Sequence, residues 1–519
     1  MKHDDLDILV IGGGITGAGI LLEAARRGLK ALLVEQRDFA WGTSSRSSKL
    51  VHGGLRYLAE GRLRLTRESV REREALLRDA PGLVEAQGFA FPDYGNSARK
   101  RRSFLAGLAL YDAMAGRREA HWLDAEAFRM LAPNIRHQGL TGGIRYLDAK
   151  TDDARLVLRV LDEARSIGAE ARNYVAVEHL LREGGRVSGA LLRDARSGAA
   201  GEVSARVVVN ATGAWAGGIA GQGGAPRLRP LRGSHLVLQA WRLPLAQAVS
   251  LMHPVDGRPV FAFPWEGVTL VGTTDVDHGE GLAVEAKVTR AEFDYLMAAL
   301  RAQFPQLQLQ DGDVLATYAG VRPVLDSGTR GDPSRETREH LVWDEPGLVA
   351  VTGGKLTTFR AIALDTLRIV ARQLPGWQAD LAPGPVFAPL ALPRGPRGLP
   401  HGVLQRLAGR HGRHAQALLD AAQDGELETI PGTLTPWAEL RWAARSEAVL
   451  RLEDLLLRRT RLGIQLRAGG QTLLPRIRAI CQPELGWSDA RWEAEQAAYL
   501  GLWQAHYSLP CTGTEHLHA

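Results

Sequence analysis

The chain contains 519 residues, which at about 100–200 residues per domain corresponds to roughly two to four domains. Hydrophobic residues make up 45% and charged residues 24%, which excludes a collagen-like, low-complexity or wholly disordered chain. The net charge of +6 is compatible with nucleic acid, an anionic membrane surface or an anionic substrate, so motifs have to decide among these partners.

Targeting and cross-linking signals are few. The longest apolar run, Phe104–Tyr111, is far shorter than the roughly 18 residues of a transmembrane helix. Three acidic residues within Met1–Asp7 argue against a secretory signal peptide, so we expect a cytoplasmic protein. The two cysteines, Cys481 and Cys511, cannot form a disulfide framework or a cysteine metal cluster, and we expect no metal site.

The first predicted elements are a strand, a helix and a second strand. The apolar run Ile8–Ile11 meets Gly12, Gly14 and Gly17, and a second apolar run ends at Glu35. This spacing is typical of a dinucleotide site, in which the glycines allow a tight turn, close approach of a pyrophosphate and helix packing. The helix N-terminus binds the pyrophosphate and the acid binds a ribose hydroxyl. An ordinary glycine turn is the structural alternative.

The next elements contain a loop rich in hydroxyl groups. Residues 43–49 read TSSRSSK, and a charged helix is predicted from about Leu63 to Arg78. Alternating residues at 169–192 and a valine run at 207–209 predict strands. The loop composition is typical of a segment that contacts a ligand.

The second half of the chain changes character. Residues 227–347 alternate apolar and polar side chains, which predicts a mainly antiparallel sheet with one helix near 291–304. The apolar run 348–351 meets two glycines before a further helix, which repeats the strand–turn–helix pattern. A segment rich in Pro and Gly at 374–402 then precedes helical residues 401–507.

The spread of these turns favours FAD over NAD. A pure NAD domain would continue its strand–helix alternation, whereas this pattern is interrupted after Glu35. The hydroxyl-rich loop, residues 211–213 and residues 353–354 supply three further clusters far apart in sequence, and the longer FAD needs several such contacts. Taken singly, each cluster also fits an ordinary turn.

Nine motifs in chain order carry a family resemblance. They are VIGGGITGAGI (Val10–Ile20), TSSRSSKLVHGGLRYL (Thr43–Leu58), DDARLVL (Asp152–Leu158), NATGAWA (Asn210–Ala216), RGSHLVL (Arg232–Leu238), PWEGVTLVGTTD (Pro264–Asp275), YAGVRP (Tyr318–Pro323), TGGKLTTFR (Thr352–Arg360) and LEDLLLRRTRLG (Leu452–Gly463). With them the chain resembles the FAD-dependent, quinone-linked sn-glycerol-3-phosphate dehydrogenases, within the group of glycine- and D-amino-acid-oxidase-like flavoproteins. Gly116–Gly142 and Leu374–Gly402 match nothing in that pattern.

The resemblance implies an α/β fold of three parts. These are an FAD-binding Rossmann-like domain of the glutathione-reductase/D-amino-acid-oxidase type, a mainly antiparallel substrate domain and a C-terminal helical domain. The predicted division is 1–80, 145–225 and 345–375 for the FAD-binding domain, 81–144 and 226–344 for the substrate domain, 376–400 for a linker, and 401–519 for the helical domain.

The implied reaction is oxidation of glycerol 3-phosphate to dihydroxyacetone phosphate, with hydride transfer to FAD and electron transfer to a membrane quinone. Such an enzyme would bind peripherally to the inner face of the cell membrane. The basic run Arg99–Arg102 beside Phe104–Tyr111 suits an anionic membrane surface, although a solvated loop beside a buried helix fits equally. No nucleic-acid partner is expected, and a homodimer is compatible with the sequence without being determined by it.

The resemblance also assigns residues to the substrate. Arginine and lysine bind phosphate well, and an imidazole can accept the proton of the alcohol. Two histidines within matched motifs, His52 and His235, are alternative bases, with His235 slightly preferred because it begins an apolar strand; Arg322 is placed beside the reacting group. The substrate-binding set is Arg56, Tyr57, Arg322, Arg338, Lys355 and Thr357.

The cofactor set follows from the glycine turn and the matched motifs. It comprises Gly12, Gly14, Ile15, Thr16, Gly17, Glu35, Thr43, Ser44, Ser47, Ser48, Leu50, Val175, Ala211, Thr212, Gly213, Gly353, Gly354, Leu356 and Thr357. Two other functions remain open at this point. One is an amino-acid or 2-hydroxy-acid oxidase of the same fold, and the other is a flavin-binding nucleic-acid or membrane adaptor.

Overall fold

The structure is a computed structural model that describes residues 6–95, 98–219, 227–325, 339–396 and 398–511. Its strands are β1 (Leu6–Ile11), β2 (Ala31–Glu35), β3 (Leu50–Val51), β4 (Val84–Asp93), β5 (His121–Asp124), β6 (Gly142–Thr151), β7 (Glu170–Asn173), β8 (Val175–Glu183), β9 (Arg186–Asp194), β10 (Ala200–Asn210), β11 (Leu228–Gln239), β12 (Ala248–Met252), β13 (Pro259–Trp265), β14 (Val268–Gly272), β15 (Val276–Asp277), β16 (Val314–Leu325), β17 (His340–Glu345) and β18 (Leu348–Gly353).

The helices lie on the two sheets or follow them in the chain. They are α1 (Ile15–Ala25), α2 (Leu55–Ala59), α3 (Leu63–Asp79), α4 (Ala98–Ala115), α5 (Ala125–Leu131), α6 (Asp153–Ser166), α7 (Arg290–Gln303), α8 (Phe359–Gln373), α9 (His401–His411), α10 (Ala415–Ala421), α11 (Trp437–Ser446), α12 (Leu462–Gln465), α13 (Leu474–Leu485) and α14 (Asp489–His506). Over the described residues, none is long and apolar enough to cross a membrane.

The first sheet has the strand order β17-β18-β10-β1-β2-β7, and the β8–β9 hairpin extends from β10. Strands β18, β10, β1, β2 and β7 are parallel, so their carboxyl ends share one edge. β1 and β2 are almost entirely buried, because α1, α6 and α8 cover one face and β8 and β9 cover the other. This is the predicted Rossmann-like layer.

The second sheet is mainly antiparallel, as predicted, with the order β15-β11-β14-β13-β12-β4-β6-β3. Only the β12–β4 pair is parallel among the pairings of this sheet in the described residues. The long strands β11 and β16 pair antiparallel over their whole length. One face packs on α7, and the other packs on the C-terminal helices. The predicted α/β fold with a helical C-terminal part is confirmed.

Three boundaries differ from the predicted division. The predicted division places most of β17 in the substrate domain, but this strand forms a hairpin with its neighbour β18 in the first sheet. It places β3 in the FAD-binding domain, but β3 pairs with β6 in the second sheet. The predicted linker 376–400 is partly packed, because Val386 and Phe387 are buried in the core beneath α1.

Buried ion pairs join the C-terminal helices to the first sheet. Asp38, in the loop after β2, accepts hydrogen bonds from Arg459 at 2.6 and 2.8 Å and also pairs with Arg458. A second group links Arg155 of α6 to Glu447 at 2.7 Å through both carboxylate oxygens. All five side chains are at most 6% exposed, so this contact is part of the protein interior.

Candidate active site

The glycine turn after β1 leaves no room for larger residues. A β-carbon at Gly17 would lie 1.9 Å from the carbonyl oxygen of Gly12, and one at Gly12 would lie 2.6 Å from that of Ala211. Gly12 also has a φ of 113°, which favours glycine. A β-carbon at Gly14 would come within 3.1 Å of Ser44 Oγ, above the start of α1. The turn therefore keeps backbone amides accessible for a pyrophosphate.

Glu35 lies at the carboxyl end of β2, where the sequence predicts the ribose contact. Its carboxylate accepts hydrogen bonds from the amides of Gly13 at 2.7 Å and Arg37 at 2.9 Å. Burial raises its pKa, and these amide hydrogen bonds offset part of that rise. The Ile15 amide, in the first turn of α1, donates to Ser44 Oγ at 3.0 Å. These groups fit the adenosine and pyrophosphate portion of FAD.

The other predicted glycine clusters meet the first turn at the same sheet edge. Residues 211–213 follow β10, which lies beside β1, and residues 353–354 lie at the end of β18, which lies beside β10 in the same parallel layer. The hydroxyl of Thr352 donates to the Gly213 carbonyl at 2.8 Å, which joins the two clusters directly. Such an edge, at the carboxyl ends of parallel strands, is where α/β proteins bind ligands.

The hydroxyl-rich loop is packed by internal hydrogen bonds. Thr43 Oγ1 donates to the Val321 carbonyl at 2.5 Å, and Ser47 donates to Asp153 through both its amide and its hydroxyl. Ser45 is buried. Because these groups are engaged inside the protein, the loop packs against its neighbours, and its contact with a ligand stays a prediction.

Four other residues of the predicted cofactor set lie in regular elements. Thr16 follows Ile15 in the first turn of α1, and Leu356 begins the short 3₁₀ turn before α8. Leu50 begins β3, and Val175 begins β8 as a buried residue of the core. Their roles toward the cofactor stay predictions.

His235 lies buried between the hydroxyl-rich loop and β16. Its Nε2 shares a hydrogen bond of 2.9 Å with the hydroxyl of Ser48. Its ring stacks on Tyr318, the residue opposite on β16, with centroids 4.6 Å apart. Burial, then the charges of Lys49 and Arg322, lower its pKa well below the usual value, so the imidazole is uncharged at neutral pH.

Arg322 lies on the same face of the β11–β16 pair as His235. A β-carbon at Gly233, two residues before His235, would come within 2.7 Å of the Arg322 guanidinium. That guanidinium donates to the Thr274 carbonyl at 3.0 Å and pairs with Asp275 at 3.3 Å. With its side chain 26% exposed, it retains access to a ligand beside the imidazole.

Lys355 and Tyr57 form a second group at the end of β18. The Lys355 ammonium lies 3.9 Å from the centre of the Tyr57 ring and donates to Ser69 Oγ at 3.1 Å. Thr357 Oγ1 donates to the His52 carbonyl at 3.4 Å. The continuous segment 48–57 therefore contacts both His235 and Lys355, which links the two predicted groups.

Arg56 differs from the other predicted cations. Its side chain is 41% exposed and pairs with Glu60 at 2.9 Å on the surface of α2. Arg338 lies outside the described residues. Among the residues described, no cluster of histidine, cysteine and carboxylate side chains could hold a metal ion.

Four buried residues in or bonded to the hydroxyl-rich loop are absent from the predicted site. They are Lys49, Asp153, Tyr318 and Arg461. Each lies in one of the matched motifs, and Lys49 is one of only seven lysines in the chain. That scarcity was a usable signal, but no sequence pattern indicates that a C-terminal arginine reaches the loop after β2.

Comparison with known proteins identifies the family of the chain. Residues 7–365 match the family model for FAD-dependent oxidoreductases, and residues 356–492 match the C-terminal domain of alpha-glycerophosphate oxidase. Glycerol-3-phosphate dehydrogenase 2 of Mycobacterium tuberculosis is 37% identical over 97% of this chain and 88% of its own length. Aerobic glycerol-3-phosphate dehydrogenase of Staphylococcus aureus is 33% identical over 89% and 87%.

Solved structures give the same assignment. Glycerol-3-phosphate dehydrogenase of Bacillus halodurans, complexed with FAD, superimposes with a TM-score of 0.74 at 29% identity over 97% of this chain and 96% of that one. L-alpha-Glycerophosphate oxidase of Mycoplasma pneumoniae, at 18% identity and a TM-score of 0.58, shares the fold. The site and fold define an FAD-dependent oxidoreductase. The chain belongs to the FAD-dependent glycerol-3-phosphate dehydrogenase family, and its cofactor is FAD.

Proposed function

We propose that the protein oxidises the secondary alcohol of sn-glycerol 3-phosphate to dihydroxyacetone phosphate. The names of its relatives support the substrate. The observation that carries the proposal is the placement of uncharged His235 beside the guanidinium of Arg322 on one face of the β11–β16 pair. A base beside a cation is what an anionic alcohol needs.

The residues divide the chemical work. FAD supplies the acceptor for the hydride that leaves carbon 2. The imidazole of His235 accepts the hydroxyl proton as the carbon–oxygen double bond forms, and Ser48 holds that ring through the 2.9 Å hydrogen bond. Arg322 and Lys355 bind the phosphate, with Tyr57 packed against the lysine.

Removing either phosphate-binding cation should reduce the preference for the phosphorylated substrate. One charged hydrogen bond contributes about 1.5–3 kcal/mol, so Arg322→Ala and Lys355→Met should each lower kcat/KM for glycerol 3-phosphate by roughly 10- to 150-fold. The kcat/KM for glycerol, which carries no phosphate, should fall far less. Steady-state kinetics with both alcohols, alongside the FAD content, measure the contrast.

The matched control is Arg78→Ala, whose side chain is 67% exposed on the surface and pairs with its neighbour Asp79. This substitution should leave kcat/KM unchanged for both glycerol 3-phosphate and glycerol. Wild-type kcat/KM in both site variants would contradict the assignment of the phosphate site. Anaerobic mixing of the wild type with candidate substrates tests the function itself, and faster bleaching of the flavin by an amino acid or 2-hydroxy acid would exclude glycerol 3-phosphate as the preferred substrate.

We further propose that the electrons pass to a membrane quinone and that the protein docks on the inner face of the cell membrane. The support is electrostatic, because Arg99, Lys100 and Arg102 are exposed within the first five residues of α4. The adjacent apolar run, Phe104–Tyr111, offers less apolar surface for membrane docking than its sequence suggests. Leu108 and Tyr111 are buried, and Leu110 is its large apolar side chain at the surface, 45% exposed.

Docking by charge predicts reversible, salt-sensitive attachment. At physiological ionic strength the basic residues act within a Debye length of about 8 Å, so a high-salt wash should release the protein from membranes. Replacing residues 99–102 by glutamine should lower the membrane-bound fraction in a sedimentation assay. Replacing the four arginines 186, 193, 196 and 206, which lie in β9, the turn after it and β10, by glutamine removes the same number of positive charges elsewhere in the chain. An equal effect of both sets would remove the support for a specific docking face.

A further inference from the structure

Lys49 is a buried cation that the proposed reaction has not yet used. Its side chain is fully buried, and its ammonium donates to Asp153 Oδ1 at 2.9 Å and to the Ser45 carbonyl at 3.0 Å. Lys49 also has a φ of 55°, in the left-handed region that a β-carbon disfavours. Such a conformation persists only where surrounding contacts hold it, and it is common beside functional groups.

The Lys49 side chain packs on the aromatic partner of His235. Its ammonium lies 4.7 Å from the centre of the Tyr318 ring. The same ring stacks on the imidazole of His235. The Tyr318 hydroxyl donates to the Ser47 carbonyl at 3.1 Å, and Ser48 bonds to the imidazole. The three residues 47–49 therefore fix His235 directly and through Tyr318.

The C-terminal helical domain holds this loop in place. Arg461 donates to the Ser45 carbonyl at 2.7 Å and to Asp153 Oδ1 at 3.3 Å, so it shares both acceptors of Lys49. The same guanidinium donates to the Leu457 carbonyl at 2.6 Å within its own domain. Since Arg461 is only 2% exposed, the contact lies inside the protein.

From this arrangement we propose that Lys49, anchored by Asp153 and by Arg461 of the C-terminal domain, is a positioning residue that keeps His235 aligned as the proton acceptor. The inference rests on the proposed function, because it gives Lys49 a role toward the base of that reaction. It also gives the C-terminal motif LEDLLLRRTRLG a role in the active site.

The groups that face His235 come from the hydroxyl-rich loop, β16 and β14. Lys49 comes from the hydroxyl-rich loop and Arg322 from β16, and both are cationic neighbours that disfavour an imidazolium. Tyr318 faces the ring from β16, and on β14 the opposite residue is Gly272, which has no side chain. Asp275 pairs with Arg322, so its charge is already offset. Burial and Arg461 lower the pKa of Lys49 to about 8, which leaves it cationic at neutral pH.

The test measures the titration of His235 in the FAD-bound protein. Lys49→Met removes the charge and keeps the length of the side chain, and it should raise the pKa of His235 by about one pH unit. The pKa is followed by NMR of ¹³C-labelled histidine, with the His235 signal assigned through His235→Asn. The acidic limb of kcat/KM for glycerol 3-phosphate should move upward by the same amount.

The control variant is Lys150→Met, a lysine on β6 that bonds to the Pro264 carbonyl at 3.1 Å and does not touch the His235 group. It should leave the His235 titration unchanged. If Lys49→Met does not fold, the double variant Lys49→Met/Asp153→Asn removes the buried carboxylate together with its cation and gives the same measurement. An unchanged His235 titration in the folded variant would overturn the proposal.

Arg461 tests the contribution of the C-terminal domain. Arg461→Gln should lower kcat about tenfold or more with little change in KM, and Arg461→Lys should restore part of the loss, because the residue orients the base without touching substrate. A rise in KM with kcat unchanged would contradict this role. The NMR titration needs no substrate. If glycerol 3-phosphate does not reduce the flavin of the wild type, the proposed function is refuted, but the effect of Lys49 on the pKa of His235 can still be measured.

Discussion

Replacing His235 by asparagine is expected to lower kcat for glycerol 3-phosphate by about 10²–10⁴-fold, the usual contribution of a general base. The amide keeps a polar contact with Ser48 but cannot take up a proton. The buried imidazole bonds to Ser48, so it is fixed at the position where the proton would be received. Single-turnover reduction of the flavin, followed at its visible absorbance, measures the loss in the chemical step.

His52→Asn is the comparison, because His52 is the alternative base in the sequence. Its carbonyl bonds to Thr357, and this contact survives the substitution. We expect a much smaller effect than at His235, with normal FAD content in both variants. If kcat falls further in His52→Asn than in His235→Asn, the base is His52 rather than His235.

Removing Asp38 is expected to destabilise the protein by about 3–5 kcal/mol, because Arg458 and Arg459 would remain buried without this carboxylate. Asp38→Ala should therefore lower the midpoint of thermal unfolding and loosen the contact between the first sheet and the C-terminal helices. Asp424→Ala, at an exposed position, is the control. Equal midpoints for the two variants would show that the buried pairs do not stabilise the folded state.

The same group predicts how stability depends on pH. Burial alone would raise the pKa of Asp38, but the charges of Arg459 and Arg458 lower it to about 2, compared with 3.8 for an ordinary aspartate. A carboxylate with a depressed pKa stabilises the folded state above the unfolded value, and this contribution is lost as pH falls. The contribution of Asp38 should therefore be complete above about pH 4 to 5 and disappear toward pH 2, and Asp38→Ala should lack this part of the acid unfolding curve.

The sequence predicts best where a pattern is local. The turn containing Gly12, Gly14 and Gly17, the acid at Glu35 and the second glycine turn at 353–354 each stand beside their own strand, so periodicity and spacing locate them. The antiparallel second sheet is predicted equally well, because its alternating residues have one buried face. The family motifs then add the substrate class, which no spacing supplies.

The contacts around His235 could not be predicted in this way. Lys49, Tyr318 and Arg461 are each more than a hundred residues apart along the chain and meet only through tertiary packing. A lysine in a serine-rich loop has the pattern of a solvated residue, yet here it is fully buried because Asp153 and a carbonyl satisfy its charge. Arg56 is the opposite case, since its motif suggests a phosphate contact and its side chain pairs with Glu60 at the surface. Its role toward the substrate stays a prediction.

The order of strands in the first sheet also bears on how the protein is made. β1 pairs with β10, which is synthesised about 200 residues later, and β10 pairs with β18, which ends at Gly353. The sheet is therefore incomplete until β18 has been made. At about 5–20 residues per second, a ribosome takes roughly 15–70 seconds between the first strand and the last. During that time the nascent sheet has an edge strand whose backbone N–H and C=O groups are unpaired, and such an edge can pair with another chain and aggregate. Expression at a reduced translation rate should therefore depend strongly on chaperones that shield unfinished chains.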